Sequence, residues 1–253
     1  MSYTQLIQGD VEEVLEVIDP VHCIFADPPD NIGLDYAGYK DNLPAAHYVA
    51  FLQRVLTLSV EKADVIWLSY NSRWTFEVGH IICSILEYKP LWDAKACIQT
   101  FTFGQHNQSD LGNNHRPIVR LMKRSTTLYP DAIRVPSWRQ LNGDKRADPR
   151  GRVPGDVFDF TRVTGNSAQR RAWHPTQLNE GLVERCLKLT CNQDDVVLDL
   201  FSGTGTTLRV CRQLGTPVIS VEMDENYCHK IAEDNDLEKN QNPFPWEASW
   251  NGY

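Results

Sequence analysis

The chain lacks any apolar run of about 18 residues, the length a membrane-spanning helix needs. Its mean hydropathy is −0.41, and a transmembrane helix is excluded. No basic residue occurs between Met1 and Pro20, where five acidic residues fall, so this stretch does not read as a secretory leader. No lipidation motif is present. The seven cysteines include no Cys-x-x-Cys pair and no His/Cys cluster at zinc spacing. Their odd number and scatter through apolar segments point to reduced, buried thiols, a cytoplasmic setting and no metal site. No Gly-Lys-Ser/Thr occurs, which removes a phosphate-binding loop.

What is present is the composition of a globular protein. The 253 residues are 42% apolar and 23% charged, enough for one α/β domain with an insertion. The net charge of −8 argues, taken whole, against a nucleic-acid partner. The average conceals a split. Gly112 to Arg171 carries 13 Lys/Arg against five Asp/Glu, and the remaining chain 12 against 28. An acidic body carries a basic segment.

Periodicity predicts alternating strands and helices. Strands are expected at Leu6–Asp10, Val21–Ala26, Asp64–Ser69, Lys95–Phe103, Arg116–Met122, Val196–Leu200 and Val218–Glu222. Helices are expected at Val11–Ile18, through the face Tyr48, Phe51, Leu52, Val55 and Leu56, at Trp74–Leu86, along Leu178, Leu182, Cys186 and Leu189, and at Thr206–Leu214 and Glu225–Asp234. This alternation implies a mainly parallel, doubly wound sheet. From Leu128 to Ala172 periodicity fades into a loop-rich insertion. The tail from Asn240 to Tyr253, with two Trp and two Pro, is expected to pack on the body or on a partner.

Two motifs carry chemistry. In Val196–Thr207 an apolar strand ends in Asp199-Leu200-Phe201-Ser202-Gly203-Thr204-Gly205 and opens a helix, so backbone can approach a ligand closely. Nineteen residues past Gly203 a second strand ends in Glu222, an acid able to accept from both hydroxyls of a ribose. Leu208 stands where a dinucleotide fingerprint needs a third glycine. An acidic loop without phosphate-binding features suits a cationic nucleoside such as S-adenosylmethionine. The other motif is Ile24-Phe25-Ala26-Asp27-Pro28-Pro29-Asp30-Asn31. Two prolines end a strand and aim a carboxylate and a carbonyl outward, a pair able to accept from an exocyclic amine.

In their order these pieces resemble the DNA amino-methyltransferases, which make N6-methyladenine or N4-methylcytosine. The Asp-Pro-Pro motif precedes the basic segment and the glycine turn comes last, the order of the circularly permuted beta class. Leu6-Ile7-Gln8-Gly9-Asp10 resembles that class's Gly-Asp before the catalytic strand. His174-Pro175-Thr176-Gln177 resembles its contact to the methionine end, and Val221-Glu222-Met223-Asp224 its ribose-binding strand. The resemblance covers residues 4–124 and 170–235.

The resemblance implies an α/β fold: a Rossmann-like S-adenosylmethionine-dependent methyltransferase sheet, circularly permuted, in a single domain 1–253 with a basic target-recognition insert at 105–172. It implies direct methyl transfer to DNA adenine N6. N4 of cytosine is the alternative, Asp before Pro-Pro going mostly with adenine. No Pro-Cys dipeptide occurs, against cytosine-C5 chemistry. Asp27, Pro28, Pro29 and Asp30 would be catalytic. Asp10, His174, Pro175, Thr176, Asp199, Phe201, Ser202, Gly203, Thr204, Gly205, Thr206, Thr207, Glu222 and Met223 would bind the cofactor. Arg116, Arg134, Arg139, Lys145, Arg146, Arg150, Arg152, Arg170 and Arg171 would contact DNA, unless the insert's Asp144, Asp148, Asp156 and Asp159 hold its arginines. His106 and His115 are read as structural or surface groups. A restriction–modification setting, a bacterial or phage source and a homodimer are compatible with the chain. Two positions depart from the family: Asn179, where proline is common, and Asp30, where an aromatic usually stacks on the flipped base. Stacking would then fall to Phe25, Tyr36, Tyr39 or Trp173, Asp30 would bond the base edge, or the protein would bind cofactor and DNA without catalysis.

Overall fold

The computed structural model describes residues 3–36, 38–101, 107–239 and 247–251. In chain order the elements are β1 (Tyr3–Gln8), α1 (Val11–Val17), β2 (Cys23–Ala26), α2 (Ala45–Lys62), β3 (Val65–Ser69), α3 (Thr75–Tyr88), β4 (Trp92–Thr100) and β5 (His115–Lys123). The single turn α4 (Trp138–Leu141) and the two-residue β6 (Val157–Phe158) follow, then α5 (Glu180–Thr190), β7 (Val197–Asp199), α6 (Thr206–Leu214), β8 (Val218–Glu222), α7 (Glu225–Asp234), β9 (Glu238–Lys239) and β10 (Glu247–Asn251).

Among the described residues ten strands form one sheet in the order β6-β4-β5-β3-β2-β7-β8-β1-β10-β9. The central five, β3-β2-β7-β8-β1, are parallel. The flanks are mixed: β5 runs antiparallel to β3 and β4, and β10 antiparallel to β1 and β9. The sheet is therefore mixed: its five central strands and the edge pair β4–β6 are parallel, and the remaining pairs antiparallel.

Strand alternation splits the core in two. Ile24, Ala26, Ile66 and Leu68 face a cluster formed with α1, α2 and α3. Their neighbours Cys23, Phe25, Val65 and Trp67 face the opposite cluster, with α5, α6 and α7. A strand covered on both faces needs a continuous apolar run, which Cys23–Ala26 and the first four residues of β3, Val65 to Leu68, supply.

Expected boundaries shift in places. β1 begins at Tyr3, because Thr4, polar but only 2% exposed, already belongs to the ladder. Asp10 lies beyond β1 and caps α1, accepting from the Glu12 N–H at 2.8 Å. β4 spans Trp92–Thr100, earlier than expected, and Phe103 lies outside the described residues. Residues 128–172 are mostly loop, and β6 pairs with β4 and ties this segment to the sheet. In the tail, β10 pairs with β1. Five cysteines are buried, Cys191 is half-buried and Cys83 is exposed. Among the described residues no helix is long and apolar enough to cross a membrane.

Leu52, 1% exposed on the inner face of α2, tests the first cluster. Leu52→Ala is expected to lower unfolding free energy by about 2–5 kcal/mol through lost burial and a residual cavity. Val17→Ala, at a site 69% exposed, should change it by less than about 0.5 kcal/mol. Urea denaturation of both variants provides the comparison.

Candidate active site

The connections on either side of β2 and β7 run in opposite directions. From β2 the chain crosses through α2 to β3, and from β7 through α6 to β8. A crevice must open outside the carboxyl ends of two such strands. Phe25 is in register with Asp199, and Gln8 with Glu222, so the turns after β2, β7, β8 and β1 converge. They line one cavity of about 580 Å³.

Asp27, Pro28, Pro29 and Asp30 reach the cavity from the end of β2. Their loop is fixed by its own hydrogen bonds. The Tyr48 hydroxyl donates to the Pro29 carbonyl at 2.5 Å, and Trp74 Nε1 to the Asp30 carbonyl at 2.9 Å. The Asp41 carboxylate accepts from the N–H groups of Asn31, Ile32 and Leu34. Asn31 sits at φ +55° and exchanges two hydrogen bonds with Leu43, which offset that left-handed backbone.

Asp199, Phe201, Ser202, Gly203, Thr204, Thr206 and Thr207 line the cavity from the β7–α6 turn. Gly203 has φ +53°, and a Cβ there would lie 3.2 Å from the His174 ring, so glycine lets the turn pack against the imidazole. Gly205, expected beside the cofactor, stands apart from these residues. It is absent from the cavity wall and caps α6 at φ +70°, where a Cβ would come within 3.0 Å of Ile231. Arg209, unforeseen in the sequence, braces the turn from below by donating to the Thr204 carbonyl at 2.5 Å and the Glu180 carboxylate at 2.9 Å.

Glu222 and Met223 enter from the end of β8. The Gly203 N–H donates to Glu222 Oε2 at 2.9 Å and the Asp224 N–H to Oε1 at 3.0 Å. Both carboxylate oxygens are thereby oriented, with lone pairs to spare. Asp10, Pro175 and Thr176 line the same cavity. His174, 7% exposed, has Nδ1 2.6 Å from the Thr176 carbonyl, and burial pushes its pKa down to about 4. Tyr36 and Tyr227 pack edge-on against its ring. Tyr227, missed in the sequence, is the only cavity-lining residue contributed by the buried face of α7.

Of the proposed stacking aromatics, Tyr36 and Tyr39 line the cavity. Phe25 does not: it is fully buried in the second core cluster, because its alternation points it into the sheet. Trp173 packs against Tyr227 and Lys230 and is not part of the wall.

Arg116 differs most from expectation. Rather than facing outward with the basic insert, it enters the cavity from β5. Nη2 donates to Asp27 Oδ1 at 2.6 Å, Nη1 to Asp30 Oδ1 at 2.9 Å and Oδ2 at 3.1 Å, and Nε to Ser69 Oγ at 2.6 Å. Asn71 adds a long contact to Asp30 at 3.4 Å. A position at the end of β3, beside β2, was the available signal for Ser69.

The other proposed DNA contacts lie away from the cavity. Arg139, Lys145, Arg146, Arg150 and Arg152 are exposed. Arg146 pairs with Asp144, Arg150 with Asp148, and Arg134 with Asp131. Asp156, expected to hold an arginine, pairs instead with Lys95. Arg171 is held by Asp234, and Arg170 donates to the Arg171 carbonyl. His115 lines the cavity, and His106 lies outside the described residues.

The wall fits a cationic nucleoside. Asp199 Oδ2 and Ser202 Oγ are buried without hydrogen-bond partners, so acceptors and donors remain for a ligand. Burial raises the Asp199 pKa to about 7 and the Glu222 pKa to about 7. No group of metal-ligating residues occurs among the described residues.

An α/β sheet with an Asp-Pro-Pro turn and an acid-rimmed glycine turn at its switch point defines a methyltransferase-like architecture. The chain belongs to the DNA methylase family, which it matches over residues 21–234, and the family uses S-adenosylmethionine. It is 35% identical over 256 residues to the type II methyltransferase M2.LlaDCHI of Lactococcus lactis subsp. cremoris, covering 90% of this chain and 87% of that protein. It is 28% identical over 245 residues to the DNA adenine methyltransferase YhdJ of Escherichia coli K12, covering 88% and 79%. Among solved structures, the cytosine-N4-specific PvuII DNA methyltransferase aligns with TM-score 0.69 at 15% identity, over 92% of this chain and 86% of that one. The M1.HpyAVI–SAM complex aligns with TM-score 0.61 at 16% identity, over 92% and 100%.

The raised acids give a pH dependence with a defined sign. Asp199 and Glu222 bind protons more tightly folded than unfolded, where 3.8 and 4.5 apply. Their contribution to stability is complete below the unfolded values and is lost as the pH rises through about 7. The urea midpoint of the ligand-free protein should therefore fall between about pH 5 and pH 8 through these groups. Asp199→Asn should flatten part of that slope; an unchanged slope removes Asp199 as its source.

Proposed function

We propose that the protein is a site-specific DNA methyltransferase that moves the methyl group of S-adenosylmethionine to N6 of adenine. One observation carries the reading: the Asp27–Asp30 turn and the acids Asp199 and Glu222 open into a single cavity. A donor on the acids and an acceptor base at the turn would meet there.

The cofactor supplies a methyl group already activated as a sulfonium. Glu222 would accept from the ribose hydroxyls and Asp199 from a donor of the nucleoside, while the Gly203 turn lets the ligand lie close to backbone. Asp27 and the Pro28 carbonyl would accept the two protons of the target amine. Both acceptors localise the nitrogen lone pair and aim it at the methyl group, so acceleration comes mainly from position. The base must leave the duplex to enter, at an unstacking cost of a few kcal/mol. Tyr36 and Tyr39 supply aromatic surface at the cavity.

The Asp before Pro-Pro and the 28% identity to an enzyme named as a DNA adenine methyltransferase support adenine. The motif order supports a circularly permuted chain. The exposed insert arginines support DNA contact: their partners are neighbouring surface aspartates, and such solvent-screened pairs are weak enough for phosphates to displace them.

Incubation with unmethylated DNA and mass spectrometry of the digested nucleosides identifies the product; N6-methyladenine is expected, and N4-methylcytosine alone overturns the adenine assignment. Asp27→Ala should abolish transfer with cofactor affinity near normal, and Glu222→Ala should weaken cofactor binding, both read by isothermal titration and methyl incorporation. DNA affinity should fall steeply with salt, and neutralising Arg139, Lys145 and Arg152 together should reduce the slope of log K against log salt by up to about three. A slope identical to wild type removes the insert as the DNA surface.

A further inference from the structure

The Asp27 carboxylate does not stand alone in the cavity. Arg116 bridges it to Asp30, taking Asp27 Oδ1 at 2.6 Å with one terminal nitrogen and both Asp30 oxygens, at 2.9 and 3.1 Å, with the other. Its Nε is fixed by Ser69 Oγ at 2.6 Å, and the Ser69 hydroxyl is itself a hydrogen-bond donor to Asp27. Asp30 is 8% exposed and also anchored through its carbonyl to Trp74. A planar guanidinium held on three sides is a rigid template, since its donors are fixed in one fork. A carboxylate has about four acceptor positions, so Asp27 keeps capacity for an incoming amine after accepting from Arg116 and Ser69.

We propose that Arg116 is a positioning residue for methyl transfer: held by Asp30 and Ser69, it clamps the Asp27 carboxylate in the orientation and charge state that receive the target amine. Asp30 thus serves as the anchor of the clamp, which accounts for an acid at this place in the turn. The inference rests on the reading of Asp27 as amine acceptor.

The charge state follows from the surroundings. Asp27 is faced by Arg116 from β5, Asp30 from its own turn, Ser69 from β3, Asp199 from β7 and the Tyr36 phenol. Burial pushes its pKa up; Arg116 opposes this, Asp30 adds to it, and Ser69 opposes it. A carboxylate needed as an acceptor must be ionised, so removing the guanidinium should shift the acid limb of the kcat profile to higher pH.

The test measures methyl incorporation by full-length Arg116→Gln, Arg116→Lys, Asp30→Asn, Asp30→Glu and Ser69→Ala proteins, with cofactor affinity and thermal melting alongside. Arg116→Gln is expected to lose about 100-fold in kcat, the scale of a misplaced catalytic group, with cofactor affinity near wild type and the acid limb displaced upward. Asp30→Asn should lower kcat in the same way, and Asp30→Glu should restore part of it. Wild-type kcat and pH profile in Arg116→Gln overturn the clamp. A raised kcat also overturns it, making Arg116 a plug in the amine's place. Should Arg116→Gln fail to fold, Ser69→Ala and Arg116→Lys carry the same readouts, and unaltered profiles in both overturn the proposal. Asp27→Ala separates the two levels. If that variant is active, the acceptor reading itself fails; if it is inactive while Arg116→Gln behaves as wild type, only the clamp fails.

Discussion

Parallel strands that end on one edge bring their terminal side chains together, and here those side chains are acids. Asp27, Asp199 and Glu222 follow neighbouring strands and share one cavity wall. Three carboxylates partly withdrawn from water repel one another, and each is accommodated differently. Asp27 is paired with a guanidinium. Glu222 receives two backbone N–H groups. Asp199, with one oxygen unpartnered, holds its proton up to about pH 7. The cavity's unused acceptor capacity and readiness to ionise are what a cationic ligand requires.

That arrangement depends on rigid support behind the site. Tyr48 and Trp74, from the first core cluster, hold the Asp-Pro-Pro turn by their polar tips. Arg209 and Ile231 hold the glycine turn from the other side of the sheet. Each core cluster thus fixes one half of the cavity, and packing on both faces of the sheet sets the distance between the halves. β5 contributes Arg116 to this wall, and the chain beyond β5 becomes the basic insert, tied back to the sheet through β6.

Much of this was legible locally. An apolar run closed by Asp-Pro-Pro, and a strand ending in Asp199 before a glycine turn, place functional groups at strand ends whatever the sheet order. All four residues of the first turn, and every proposed cofactor residue but Gly205, line the cavity. Gly205 could not be separated from Gly203 in the sequence, since both need positive φ and differ only in what lies opposite. Phe25 was misjudged because its face of the sheet depends on register.

Arg116 shows where local reading stops. In the sequence it heads a run of arginines and shares their charge, so it reads as one more DNA contact. Its role depends on β5 lying antiparallel beside β3, which brings position 116 opposite 99 on one side and next to Ser69 on the other. Strand ends, glycine turns and segment charge are set by neighbouring residues and were determined by the sequence itself. The pairing of Arg116 with Asp27 and Asp30, across 89 and 86 positions of chain, exists only through strand order and register, which tertiary structure alone decides.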